Sequence, residues 1–442
     1  MLQLAPVFRN IISLFMRWFA ALIGLSRESA VTKLPRYEGI FIDLDTAGVL
    51  ASSESKLAHF DAMASKCKLR TALKRQLLRI DAICSSSIDG RRVRYEDVAT
   101  LEAAVMNSPF SDDDNTSLVR LASKSGLADG LGDVVCYRYM KTVEWVSRNI
   151  GAGMHIDRNI FSAVRRLYNE SEIGLLSDLK ESGIDDFEPD AREGPAFGNE
   201  QYDELLREYV DLVNSNTLLV SVQAELSHAH LQLMKPYAGN LDAFERIFSY
   251  VVFYRRGLLT GSIAPLAVGP SLNVKQHTQS IASNMTSIAK GSFTPEIVKA
   301  VFQSTAFCTN ISTRVAQICM NVLDALWTNA QKKIDAVRSD STVMDLAKLF
   351  LEWPYLTVAI AAEKLDRSFS ATNNAMHALL KCGYIAESGR LSKHRLFCAI
   401  ELVEAFQDVA NRVISGKPLN RDTILTEILE GTEVLEGELQ DG

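Results

Sequence analysis

The chain has 442 residues, 47 lysines and arginines against 54 aspartates and glutamates, and a formal net charge of −7. Beyond about 250–300 residues a single hydrophobic core stops growing, so this length predicts two or more domains. A composition of 47% hydrophobic and 23% charged residues is that of a packed protein and excludes a mainly disordered, collagenous or polytopic membrane chain. With so small a negative balance the whole surface does not serve as a polyanion binder, and any nucleic-acid face must be local.

The N-terminal stretch 1–35 carries Phe8, Ile11, Ile12, Phe15, Phe19, Leu22 and Ile23 at helical spacing, with Arg9, Asn10, Ser13 and Arg17 on the other face. A spanning helix would hold Arg17 near its middle, and a secretory signal would need an uninterrupted apolar run and a small-residue cleavage site. The expectation is an amphipathic helix. It either docks on the body of the protein or a partner, or rests on a membrane surface with Trp18 at the interface.

Between about 45 and 335 apolar residues recur three and four apart, as in Leu205, Tyr209, Leu212 and Val213, and the fold class is read as mainly α. The least periodic stretch, about 184–200, has two prolines and reads as an exposed loop. Seven scattered cysteines without a C-x-x-C pair are the usage of a reduced compartment, which places the chain in the cytoplasm with no zinc framework. His228 and His230 would point about 200° apart on a helix. Neither they nor His155 and His277 have a Ser/Asp or Cys partner pattern, so structural roles are expected and no metal is assigned.

From Ser341 three short helices are expected. Leu346, Leu349, Phe350 and Trp353 mark the first, stopped by Pro354; Val358, Ala361, Ala362 and Leu365 mark the second; Ala375, Leu379 and Leu380 mark the third, closed by Gly383. Tyr384–Glu387 and Leu391–Ala399 then read as two strands about a Ser388-Gly389 turn. Three helices and a hairpin, over 341–403, is the winged-helix order. After it, 404–442 reads as an acidic C-terminal tail, either simply solvated or able to compete with an anionic ligand.

Two stretches carry a resemblance. Ser85-Ser86-Ser87-Ile88-Asp89-Gly90 resembles the inhibitory helix, (S/T)-x-x-x-E-(G/N), of the Fic proteins, with Asp89 at the glutamate position. The run Lys235-Pro236-Tyr237-Ala238-Gly239-Asn240-Leu241-Asp242-Ala243-Phe244-Glu245-Arg246 falls where that family has H-P-F-x-(D/E)-G-N-G-R-x-x-R. Pro236, Tyr237 and Arg246 match; Lys235 stands at the histidine, Gly239 at the acid, Leu241 at the asparagine, Asp242 at the second glycine and Ala243 at the first arginine. A one-residue deletion brings Gly239 and Asn240 onto the family's G-N but displaces Arg246. The resemblance spans most of 45–403 and implies a Fic-like helical domain over 36–335, Gly239, Asn240 and Arg246 as nucleotide contacts, and Ser85, Asp89 and Gly90 as the inhibitory group.

Active members of that family transfer AMP from ATP to a protein hydroxyl, which requires a base, a metal-binding carboxylate and donors around the phosphates. An ordinary lysine at pH 7 is neutral in only about one molecule in 10³ to 10⁴, so a Lys235 base would cost about 4–5 kcal/mol in population. Asp242 places a negative charge among the phosphates, Ala243 removes a cation and Gly239 removes the carboxylate. The expectation is an inactive transfer site with no cofactor. The alternative is a divergent protein adenylyltransferase that uses ATP and Mg on a target protein and is held in check by 85–90. Asp89 and Arg246 are expected to form a buried charge-assisted bond; the other reading of Arg246 is an ordinary surface arginine.

From Lys364 to Cys398 there are six basic and two acidic residues, a local net charge of +4 within an acidic chain. That is an electrostatic footprint for nucleic acid. Ser370, Thr372, Asn373, Asn374 and His377 on the third helix are candidates for base edges, and Arg390, Lys393 and Arg395 on the wing for the sugar–phosphate backbone. Winged helices also serve protein contacts. The sequence is read as that of a DNA-binding regulator or interaction protein, with a homodimer as the assembly paired half-sites would favour.

Overall fold

In the computed structural model the described residues are 37, 40–107, 130–169, 200–238, 242–272, 284, 287–288, 290–335, 341–388 and 395–419. The amphipathic stretch 1–35, the loop at 184–199, and Gly239, Asn240, Arg390, Lys393 and the acidic residues from Asp422 lie outside them.

The chain is mainly α. Its first long helix, α1 (Leu44–Lys66), opens where the Asp43 carboxylate accepts the Thr46 N–H at 2.7 Å, satisfying a first-turn donor that has no helical partner. Then come α2 (Arg70–Ile88), α3 (Tyr95–Met106), α4 (Gly130–Asn149), α5 (Arg158–Asn169), α6 (Glu200–Asn214), α7 (Val220–Ala238), α8 (Asp242–Arg255), the single turn α9 (Val268–Ser271) and the long α10 (Pro295–Asp335). Pro295 suits the first position of α10, where its missing N–H is not needed. α10 runs beside α1 with Lys299 on Asp43 at 3.1 Å and Asn310 on Lys56 at 3.1 Å. It meets α9 at Gly269, where a Cβ would lie 2.5 Å from the Cα of Cys308.

α2 is the central element, with 14 of its 19 residues buried. It packs against α1, α3, α4, α8, α9 and α10. A helix enclosed on nearly all sides must pair the charges it carries. Arg79 Nε donates to Glu102 at 2.6 Å, and Arg75 reaches Glu102 at 3.0 Å and Glu144 at 3.4 Å.

The remaining elements are α11 (Ser341–Glu352), β1 (Tyr355–Leu356), α12 (Val358–Leu365), α13 (Phe369–Lys381), β2 (Ala386–Ser388), β3 (Leu396–Cys398) and α14 (Ile400–Ser415). The three helices stand where the periodicity places them. Thr357 and Ser368 cap α12 and α13 through their side chains, and Gly383 takes a φ of 68° just past α13. The strands are shorter than expected and there is one more of them. The antiparallel sheet has the order β1-β3-β2, with Leu356 and Glu387 both opposite Phe397. β1 is two residues between Pro354 and Thr357, too short for any alternation to reveal.

Two expectations change. The acidic tail does not begin at 404, because α14 continues to Ser415, burying Ala405, Phe406, Val409 and Ala410 against α2, α3 and α10. Nor does the core divide near 335–341: one apolar cluster runs from Leu57 through Phe350, Leu379 and Phe397 to Val413. The join is made by polar groups of α2, since Gln76 Nε2 donates to the Leu351 carbonyl at 2.5 Å and Arg79 Nη2 to that of Glu352 at 2.9 Å. These are orphan acceptors at the C-terminal end of α11. The Arg75 guanidinium also lies 3.8 Å from the Trp353 ring centroid.

Candidate functional site

The site lies where the end of α2 meets the start of α8. α2 closes in a Schellman turn: Gly90, at φ 77°, donates its N–H to Ser87 O at 3.1 Å and Arg91 donates to Ser86 O at 2.9 Å. This leaves Asp89 as the C-cap residue. Asp81, Ser85 and Asp89, spaced by four, share one face of the helix and its end.

Arg246 is held on α8 by the packing of the opposite face. Phe244 and Phe248 join Phe161 of α5 and Tyr209 of α6 in a ring cluster with centroids 4.8 to 5.5 Å apart. That leaves the guanidinium turned toward α2. Its Nε donates to Ser85 Oγ at 2.8 Å, and its Nη2 donates to Asp89 Oδ1 and Oδ2 at 2.8 and 2.9 Å and to the Ser85 carbonyl at 3.3 Å. The two side chains are only 13% and 14% exposed. Burial works against the charge on Arg246, and the Asp89 carboxylate more than offsets it, holding the guanidinium above its ordinary range. The bond expected between these residues is therefore present, and Arg246 is not a plain surface arginine. An incoming anion would have to displace Asp89 to reach that cation.

Beneath the pair, Asp81 is fully buried. It accepts the Ala267 N–H at 2.7 Å and the hydroxyls of Tyr139 at 2.8 Å and Tyr250 at 2.7 Å. Burial dominates over these donors and pushes its carboxyl up to about 6.

Lys235, Pro236 and Tyr237 are not in a loop. α7 continues through Ala238 and α8 begins at Asp242, leaving 239–241 as the connection. The lysine expected at the base position thus stands in a helical turn. Pro236 supplies no N–H to that turn, so the helix ends there one bond short. His230 is a structural histidine, as its spacing suggests: Nε2 donates to the Leu205 carbonyl at 2.8 Å, which leaves Nδ1 to accept the Tyr37 hydroxyl at 2.9 Å. His228 has a partner that sequence reasoning did not find. Its Nε2 lies 2.7 Å from Glu245 on α8; burial lowers its proton affinity, and the Glu245 carboxylate more than reverses this. The two are on different helices, and no local spacing could have joined them.

On α13, Ser370, Asn374 and His377 are exposed and Asn373 is half-buried. Thr372 is the exception. It is fully buried, its hydroxyl donating to the Ser368 carbonyl at 3.1 Å, and it cannot reach a base edge. Arg395 is exposed and paired across the strands with Glu387 at 2.7 and 3.0 Å. Lys364 lies over the Trp353 ring, 4.2 Å from its centroid. Sequence reasoning passed over Phe369, 60% exposed at the first position of α13. The signal was an aromatic between two serines just ahead of the apolar stripe.

Among the described residues no group of three His, Cys, Asp or Glu side chains is placed to hold a metal ion, and no helix is long and apolar enough to cross a membrane. No protein-family model matches the chain, and neither does any curated protein. Among solved structures the chain is similar to a Fic family protein from Desulfovibrio desulfuricans G20, at 12% identity and a TM-score of 0.39, over 81% of this chain and 97% of that one.

Proposed function

We propose that this protein is a DNA-binding regulator: a Fic-like helical body that performs no AMP transfer, joined to a C-terminal winged helix that docks α13 in the major groove. The observation that carries the reading is the outward face of α13. Ser370, Asn374 and His377 stand in solvent on a helix fixed from behind by Ala375, Met376 and Leu379, the third helix of a unit that ends in an antiparallel sheet. Polar side chains on a rigid, exposed helix are what base-edge readout requires. The transfer site is unsuited to turnover, because its arginine is taken up by Asp89 and a lysine in a helical turn replaces the base. Fluorescence anisotropy of the full chain on duplex DNA, at salt between 50 and 200 mM, tests this. The expected result is binding whose logarithm falls linearly with that of the salt; no binding at 50 mM overturns it.

One observation favours a second reading, a divergent protein adenylyltransferase held in check. The Asp89–Arg246 bond would be an idle feature on a site with nothing to restrain. Calorimetry with ATP, with and without magnesium, on the wild type and Asp89→Gly separates the two. Binding by the variant only supports the restrained enzyme; none by either leaves the regulator.

A further inference from the structure

We infer that α13 reads A·T rather than G·C base pairs, with Phe369 seated on thymine methyl groups and Asn374 paired to adenine; this rests on the DNA-binding reading above. The argument starts from which side chains α13 offers. Its sequence, Phe369 to Lys381, contains no arginine, and its one lysine is the last residue. A helix entering the major groove contacts base edges with its N-terminal residues. The positions that would meet bases are therefore Phe369, Ser370, Asn373 and Asn374, while Lys381 lies at the far end.

Bidentate arginine or lysine is the commonest reader of guanine, and α13 itself carries neither before Lys381. Asparagine presents an acceptor and a donor side by side, matching N6 and N7 of adenine. Phe369 supplies the complement. It is 60% exposed, directly after the Ser368 cap, and four and five residues before Asn373 and Asn374, so the three fall within about 140° of the helix circumference, with the ring at one edge and Asn374 at the other. A large apolar ring in water is a cost that contact with the C5-methyl of thymine would relieve. Arg367, exposed just ahead of the cap, is placed for phosphate.

The experiment uses the full chain in two steps. Duplexes recovered from a random double-stranded pool are sequenced, and the selected duplex is then titrated by anisotropy with its thymines intact or replaced by uracil. The expected results are A·T enrichment at the contacted positions and an affinity roughly four-fold weaker for each contacted methyl removed. Phe369→Ala should bind both duplexes equally, at about the wild-type affinity for the uracil form, with a melting temperature little changed because most of the ring is already in solvent. G·C-rich recovered sites, or equal wild-type affinity for the two duplexes, would overturn the inference while leaving DNA binding in place. Failure to recover or bind any duplex would overturn the DNA-binding reading and this with it.

Discussion

Asp89 and Arg246, 157 residues apart in the chain, share two hydrogen bonds made by a single guanidinium nitrogen at 2.8 and 2.9 Å. The carboxylate caps the C-terminal end of α2, where the helix dipole disfavours negative charge. Arg246 is what makes a carboxylate tolerable there. Removing the arginine is then more damaging than removing the acid: Arg246→Ala strands a largely buried carboxylate at a negative helix end and should cost about 2–3 kcal/mol. Asp89→Asn, which keeps the shape and relieves the dipole conflict, should cost about 1 kcal/mol. Urea unfolding of both variants and the double variant gives the coupling, expected at about 1 kcal/mol or more; strictly additive losses would show that the pair does not act as a unit.

The same helix ties this pair to the C-terminal unit. Arg79 is wholly buried, bonds Glu102 with Nε, and donates from Nη2 to the last carbonyl of α11. Arg79→Met fills the volume but leaves Glu102 short of a partner and α11 without a cap, and should destabilise by about 3–5 kcal/mol. Arg79→Lys should restore little, since an ammonium cannot reach two acceptors in a fixed fork. Hydrogen exchange should show the excess loss of protection in α11 and α2; a loss spread evenly over the chain would count against a local cap.

These tethers explain which parts of the fold could be read in advance. Helix periodicity and stop signals lie within a few residues of each other, so α11, α12 and α13 were legible from the spacing of Leu346 and Phe350 before Pro354, of Val358 and Ala362, and of Ala375 and Leu379 before Gly383. The Asp89–Arg246 bond was legible only through the resemblance of 85–90 and 235–246 to two motifs of one family. The continuity of the core was not: it depends on Gln76 and Arg79 meeting the carbonyls of Leu351 and Leu351's neighbour Glu352, over 270 residues away, and polar residues on a helix look like a solvated face until their partners are known. Thr372 failed for a related reason. A threonine among asparagines looks exposed, yet its hydroxyl turns back on its own helix while its methyl group fills the core.

That reassignment has a direct consequence. Thr372→Val removes one hydroxyl bond to Ser368 and keeps the buried shape, so it should cost about 1 kcal/mol of stability. Affinity for duplex DNA should not change, whereas Asn374→Ala should weaken it. An anisotropy titration in which Thr372→Val is the more damaging of the two would place the hydroxyl at the interface after all.

Two buried aspartates give the protein opposed responses to acid. Asp61 receives five donors from Thr260, Gly261 and Ser262, at 2.6 to 3.3 Å. Burial raises its proton affinity, but these bonds outweigh burial and its carboxyl lies below the ordinary value of 3.8, so the stability it contributes is present above that value and lost as pH falls. Asp81, with three donors in a fully buried position, is pushed up to about 6. Between pH 3.8 and about 6 its folded form holds a proton that the unfolded chain has released, so stability falls as pH rises through that window and levels off above it. The size is on the order of 3 kcal/mol. Asp81→Asn cannot titrate, so the melting temperature of the wild type relative to this variant should decline from pH 4 to pH 6 and then stay constant. A difference that does not change over that range would mean the Asp81 carboxyl titrates normally, and that Tyr139, Tyr250 and the Ala267 N–H fully compensate its burial.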